Sequence, residues 1–367
     1  MGRNMSITYE YKTNLQNAKS WLIKTIKNGS GGSCATFSFF NGWSKPYPET
    51  TGYIIPTLYK IGKILHDKEC DKFANLLADW LTKIQNDDGS WNGGLFRVRA
   101  KYQPSVFNTG QIIKGTLSAY SETGNERYLH SASKAVNWLN LNVDEKGVWA
   151  VGNYKEGYNP DYYTQVAWPM LEFWKITGCE QTKANAEKVL LRIIKNRNET
   201  GNFRAWGFEK DKPAFTHTIA YTLRGFLEAG ILTGNWTTFK DCIDLALLRF
   251  SNLVDKYDGW LPGEFDLNWN ANMSFSCLTG NAQLGVCLFK YSNYTNDKRY
   301  LNPAYKITDY LCRLQKRRLP FLKGSLAGSK PIYGKYMRFR YPNWATKYYA
   351  DLLVESIITY EKLMEGK

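Results

Sequence analysis

Thr51-Gly52-Tyr53, Thr109-Gly110-Gln111, Tyr163-Thr164-Gln165, Ile219-Ala220-Tyr221, Thr279-Gly280-Asn281 and Ala345-Thr346-Lys347 are six versions of one helix opening. They recur roughly every 55–65 residues, a period that marks helical arrays. Four residues beyond each triplet stand Thr57, Gly115, Pro169, Gly225, Gly285 and Asp351. Each opening follows a polar helical stretch and a loop rich in Gly and Trp. The pattern predicts an all-α chain of twelve helices in six hairpins, closed into a ring, with long loops at one end forming a cleft. Each hairpin needs neighbours to bury its apolar face, so the unbroken series predicts one domain over residues 1–367.

The hairpins read as 11–29 with 51–66, 68–86 with 109–122, and 126–142 with 163–177. The remaining three are 180–196 with 217–231, 236–255 with 279–292, and 297–316 with 344–364. First helices carry an i, i+3/i+4 stripe, as in Phe73, Leu76, Leu77, Trp80, Leu81 and Ile84. Second helices are apolar on more than one side, as in Ile54, Ile55, Leu58, Ile61 and Ile64, which suits an inner ring. Thr123-Gly124, Thr177-Gly178 and Thr233-Gly234 read as helix stops. Connections of about twenty residues precede the second helices, long enough to build a binding cleft.

Composition narrows the classes. No apolar run approaches the ~20 residues of a membrane helix, so no stable membrane insertion is expected. Residues 1–12 lack an apolar export segment, and the seven cysteines form no CxxC pair, which favours a reducing cytoplasm. Three widely spaced histidines argue against a metal centre, and neither metal nor cofactor is expected. The net charge of +15 comes with no nucleic-acid module, so it reads as solvated helix backs plus attraction for an anionic partner.

Six helical hairpins in series resemble the (α/α)6 toroid of the six-hairpin glycosidase-like proteins, a fold shared with polysaccharide lyases, sugar epimerases and squalene-cyclase relatives. The likeness covers essentially the whole chain and is architectural. Gln85-Asn86-Asp87-Asp88-Gly89-Ser90-Trp91 fits the Q-x3-G-x-W repeat of triterpene cyclases, with echoes at Gly147-Val148-Trp149 and Gly259-Trp260. The Asp-x-Asp-Asp acid of those cyclases is absent, so the motif reads as a structural turn. The resemblance implies work on a carbohydrate.

Several loop residues suit that work. Flat aromatics bind the C–H faces of sugars, and Trp43, Trp91, Tyr162, Trp206 and Trp260 lie in loops, with Glu49, Glu209, Gln111, Gln165 and Asn281 nearby for hydroxyls. Glycoside cleavage needs two carboxyl groups. Glu264 and Asp266 form the leading pair, on one face if extended, and Asp161 precedes an inner helix. His217 opens the fourth inner helix and Tyr221 follows one turn later, a combination fit for proton transfer. Arg97 with Arg99, and Arg338 with Arg340 beside Tyr336, recur at period two and would aim guanidinium forks at acidic groups.

These residues predict a partner that is an acidic oligo- or polysaccharide, met in intracellular glycan processing or surface polysaccharide synthesis. Glycoside cleavage by Glu264 and Asp266 is the leading expectation. The alternative is uronate C5 epimerisation or elimination, in which Tyr or His moves the proton α to a carboxylate that arginine neutralises. A glycan-binding protein without catalysis is the third reading. Oligomeric state is not legible.

Overall fold

A computed structural model describes residues 2–316 and 318–365, with side chains from residue 8 onward. Twelve α-helices occupy these residues: α1 (Gly2–Lys27), α2 (Pro48–Leu65), α3 (Glu69–Lys83), α4 (Val106–Thr123), α5 (Glu126–Asn142), α6 (Thr164–Thr177), α7 (Glu180–Ile194), α8 (Thr216–Thr233), α9 (Trp236–Lys256), α10 (Leu278–Thr295), α11 (Leu301–Leu314) and α12 (Asn343–Glu365). The even-numbered helices touch in the order α2, α4, α6, α8, α10, α12 and back to α2, closing an inner ring. Odd-numbered helices form the outer layer. The all-α toroid expected from the repeat is what the chain adopts.

The pairing is offset by one helix from the expected hairpins. Each outer helix packs chiefly on the inner helix before it, across the short connection, and α1 closes the circle on α12. Short connections favour antiparallel neighbours, whereas the long loops leave their two helices free to diverge. The stops work as read: Gly124, Gly178 and Gly234 take the left-handed conformation. The threonine before each bonds back one turn, Thr123 to the Ala119 carbonyl at 2.6 Å, for example. Asn296 caps α10 in the same left-handed way.

Small residues let the inner helices approach. A Cβ on Gly115 would stand 2.4 Å from the Gly52 carbonyl oxygen, and one on Gly52 would stand 2.6 Å from the Ile112 Cα. Eight short strands decorate the cleft end: β1 (Thr36–Ser38), β2 (Gly42–Trp43), β3 (Ala214–Phe215), β4 (Glu264–Phe265), β5 (Ala271–Asn272), β6 (Ser276–Cys277), β7 (Ser329–Lys330) and β8 (Arg340–Pro342). All pairings are antiparallel, and β1–β8 joins the first loop to the last. Among the described residues no helix is long and apolar enough to cross a membrane.

Candidate active site

The loop-turn motif settles the tryptophans first. Gly89 and Gly147 hold positive φ, and a Cβ at Gly89 would meet the Lys134 carbonyl oxygen at 2.3 Å. The chain therefore folds tightly onto the next outer helix, and the residue two places on turns inward. Trp91 and Trp149 are buried, each indole donating to a carbonyl ten residues back, Leu81 at 2.9 Å and Leu139 at 3.0 Å. In the fourth unit Phe203, two residues after Gly201, takes the equivalent place. Trp206 is buried beside it against Trp269. Trp91 and Trp206 are thus core residues, contrary to the expectation of sugar contacts. Trp43 packs on Trp21 and Phe37, and Trp260 on Tyr257, both away from the cleft.

The cleft contains a cavity of about 790 Å³ at the mouth of the ring. Its wall carries Tyr47, Glu49, Tyr162, His217, Tyr221 and Tyr336, with Phe107, Phe208 and Phe215 between them and Trp344 beneath. Of the residues expected at the site, Glu49, Tyr162, Glu209, His217, Tyr221 and Tyr336 come together here. Tyr221 also forms part of the floor. Its hydroxyl accepts from that of Tyr348 at 3.2 Å, and the Tyr53 ring packs on the Tyr348 ring at 5.5 Å, so three inner helices meet in a tyrosine layer. Below that layer lies a second cavity of about 410 Å³ lined by Lys114, Glu172, Arg224 and Lys347.

Glu49 sits in the first turn of α2 and is 8% exposed. Burial raises its pKa to about 7, while the Tyr47 hydroxyl and the Lys114 ammonium pull it partly back. A carboxyl poised there can give or take a proton near neutral pH. His217 stands in the first turn of α8, its Nδ1 2.9 Å from Gln283 Oε1. Burial lowers its pKa to about 4, so the ring is neutral at pH 7. With Nδ1 donating to Gln283, Nε2 keeps its lone pair. The His217 ring lies 4.4 Å from that of Tyr221 and 5.4 Å from that of Tyr336, whose hydroxyl accepts from Trp344 Nε1 at 2.8 Å. Desolvation pushes Tyr221 and Tyr336 well above the usual phenol range, so both are protonated donors.

The expected carboxylate pair does not face the cavity. Glu264, on β4, is buried and holds Lys335 through one oxygen and Asn272 through the other. Asp266 lies past the strand end, where it accepts from the amides of Asn268 and Asn270 at 2.8 Å and shapes a turn. Asp161 is buried and ties two loops together, accepting from Asn196 Nδ2 and the Ala205 amide at 2.7 Å each. Its pKa rises to about 6 through burial, without access to the cleft. Gln111 and Gln165 lie within the inner ring and hold Lys114 from either side, and Asn281 is buried beside Ser276.

The arginine pairs also differ from expectation. Arg97 and Arg99 are exposed in an irregular loop. Met337 and Phe339 have φ of 50° and 55°, which breaks the extended run that period two required, and Arg338 instead donates to the Tyr333 carbonyl. Arg340 opens β8 and is exposed. Among the described residues no arginine lines the cavity, and its cations are Lys155 and Lys335. The loop of Lys335 has no period that would mark it in the sequence, and Glu264 is what holds it. Glu264→Gln is therefore expected to lower kcat/KM about fivefold, the worth of a partly exposed ion pair. Steady-state kinetics check this, and a collapse of kcat would restore Glu264 to the chemistry.

Residues 101–171 match a family model described as the D-glucuronyl C5-epimerase C-terminus. That stretch runs from the cleft loop through α4 and α5 into α6, and contributes Phe107 and Tyr162 to the cavity. Among solved structures, an unsaturated glucuronyl hydrolase specific for heparin is similar at a TM-score of 0.77 and 15% identity, over 97% of this chain and 98% of that one. Cellobiose 2-epimerase from Bacillus thermoamylovorans B4167 is similar at 0.74 and 14% identity, over 96% and 99%. An unsaturated glucuronyl hydrolase from Bacillus sp. GL1, responsible for the degradation of glycosaminoglycan, is similar at 0.73 and 13%, over 94% and 96%. No curated protein matches the chain. These likenesses show the fold, an (α/α)6 toroid.

Proposed function

We propose that this chain is a carbohydrate-active enzyme that binds an acidic oligo- or polysaccharide and epimerises a uronate at C5. One observation carries the reading. Glu49 on α2 and His217 with Tyr221 on α8 face one cavity from units one and four, which stand opposite in a ring of six. Inversion at a carbon needs a proton taken from one face and returned to the other. Glu49, with its pKa near 7, suits removal of the proton α to the carboxylate. The His217–Tyr221 side suits its return from the opposite wall, or removal in the reverse direction. Lys335 and Lys155 supply positive charge for the developing enolate, in place of the expected arginines.

The aromatic wall fits sugar faces, and the family-model match over 101–171 supports uronate as the substrate class. Paired-carboxylate cleavage has less support. Among the described residues the only acids lining the cavity are Glu49 and Glu209, and Glu209 is exposed and 3.7 Å from Lys155. A second reading rests on the protonated fraction of Glu49, which could donate to the double bond of an unsaturated uronate. Incubation with saturated and unsaturated glucuronate oligosaccharides, followed by proton NMR, tests both. The proposal expects the C5 epimer without new reducing ends. Loss of the double bond with new reducing ends would favour the second reading, and no change in either substrate would defeat both.

A further inference from the structure

The net charge of +15 resides in two pieces of the chain. Residues 11–48 and 310–350 contain 15 Lys and Arg and not one Asp or Glu, while the rest carries 33 of each sign. The fold brings the two segments together, since β1 pairs with β8 and α1 packs on α12. Large apolar side chains are also exposed at that junction. Phe40 at the β1–β2 tip is 77% exposed, and Phe39, Leu319, Phe321 and Phe339 are exposed around it. Their rings touch edge to face, Phe39 with Phe321 at 6.0 Å and Phe40 with Phe339 at 6.0 Å. The patch is built rather than loose: Ser38 Oγ holds the Phe40 amide at 3.1 Å, and Lys24 Nζ donates to the Pro320 carbonyl at 2.8 Å.

We propose that this face docks the protein reversibly on an anionic membrane surface, with the phenyl rings entering the interface and the surrounding cations meeting lipid headgroups. Lys45, Arg318, Lys323 and Arg340 are exposed, and no acidic residue lies in either segment to oppose them. Anionic leaflets attract such clusters, and exposed aromatic rings gain apolar burial at the membrane interface. A second copy of the chain fits poorly, because a two-fold interface would set each cationic segment against its own copy. The face adjoins the cleft, since Lys335, Tyr336 and Met337 line the cavity and Phe339 and Arg340 follow directly. Docking is independent of which reaction occurs there.

Co-sedimentation of the full chain with phosphatidylcholine vesicles, with and without phosphatidylglycerol, tests the proposal. Binding is expected only to the anionic vesicles, falling as salt rises. Phe40→Asp should weaken it about tenfold and Lys323→Glu about fivefold or more, with turnover of a short oligosaccharide unchanged in both. Failure of wild type to pellet with anionic vesicles would overturn the proposal, as would equal pelleting of wild type and Phe40→Asp. A wild-type dimer that Phe40→Asp converts to monomer would assign the face to a second copy. Loss of affinity for a long acidic polysaccharide in Phe40→Asp, without vesicle binding, would assign it to polymer.

Discussion

Glu49→Gln is expected to lower epimerisation of a uronate oligosaccharide by about 10²–10⁴-fold, the range for removing a positioned acid–base group. Glutamine keeps the shape and can still accept from Tyr47, so substrate affinity should change little. The pH dependence follows from the raised pKa. Glu49 must be ionised to take the C5 proton, so the wild-type rate should rise through about pH 7 as the carboxyl deprotonates. The stability consequence has the opposite sign. Because the folded state holds this proton to higher pH than the unfolded chain does, the group's contribution to stability is lost as pH rises from the usual carboxyl range through about 7. Glu49→Gln should therefore be at least as stable as wild type at pH 8, measured by urea unfolding. A stable but inactive variant separates a catalytic role from a structural one.

Trp149→Ala is expected to destabilise the fold by about 3–5 kcal/mol, the cost of emptying a large buried aromatic site. The indole is fully buried, and its loss would also leave the Leu139 carbonyl without its donor. Denaturant unfolding should show a lowered midpoint with the slope retained. Tyr154 gives the contrast. It is 87% exposed at the cavity rim, so Tyr154→Ala should stay within about 0.5 kcal/mol of wild type while raising KM. If Trp149→Ala instead left stability intact and impaired substrate binding, the loop tryptophans would be sugar contacts after all.

These two residues show how far the sequence can be read. Helix positions were legible because hydrophobic period and Thr-Gly stops are local: α5 spans Glu126–Asn142 as the pattern indicates. The direction of each loop tryptophan was not, since a Gly with positive φ two residues earlier turns the chain inward. Phe203 at the matching place in the fourth unit is the signal that a packing position recurs there. Period two at Arg338 and Arg340 suggested a strand, and the left-handed residues between and before them removed it. His217 and Tyr221 were legible because they open an inner helix and so face the ring centre. Glu49 opens another, but its near-neutral pKa arises from burial in the folded chain, which no local pattern encodes. Ring closure from six units was legible; that units one and four put Glu49 and His217 on one cavity emerges only from the folded chain. Lys335 and its partner Glu264 were not, because they lie 71 residues apart on loops without periodicity.

The central claim is that protons move between two opposed walls, and isotope exchange tests it most directly. Oligosaccharides containing glucuronate or its C5 epimer would be incubated separately in heavy water, and deuterium at C5 followed by NMR for wild type, Glu49→Gln and His217→Ala. The account predicts exchange from both epimers with wild type, and loss of net inversion in either variant. Each variant should lose exchange from the epimer whose proton its missing group removes and retain it from the other. Exchange from both epimers lost together in Glu49→Gln and unaffected in His217→Ala would contradict the two-wall account and leave Glu49 acting alone.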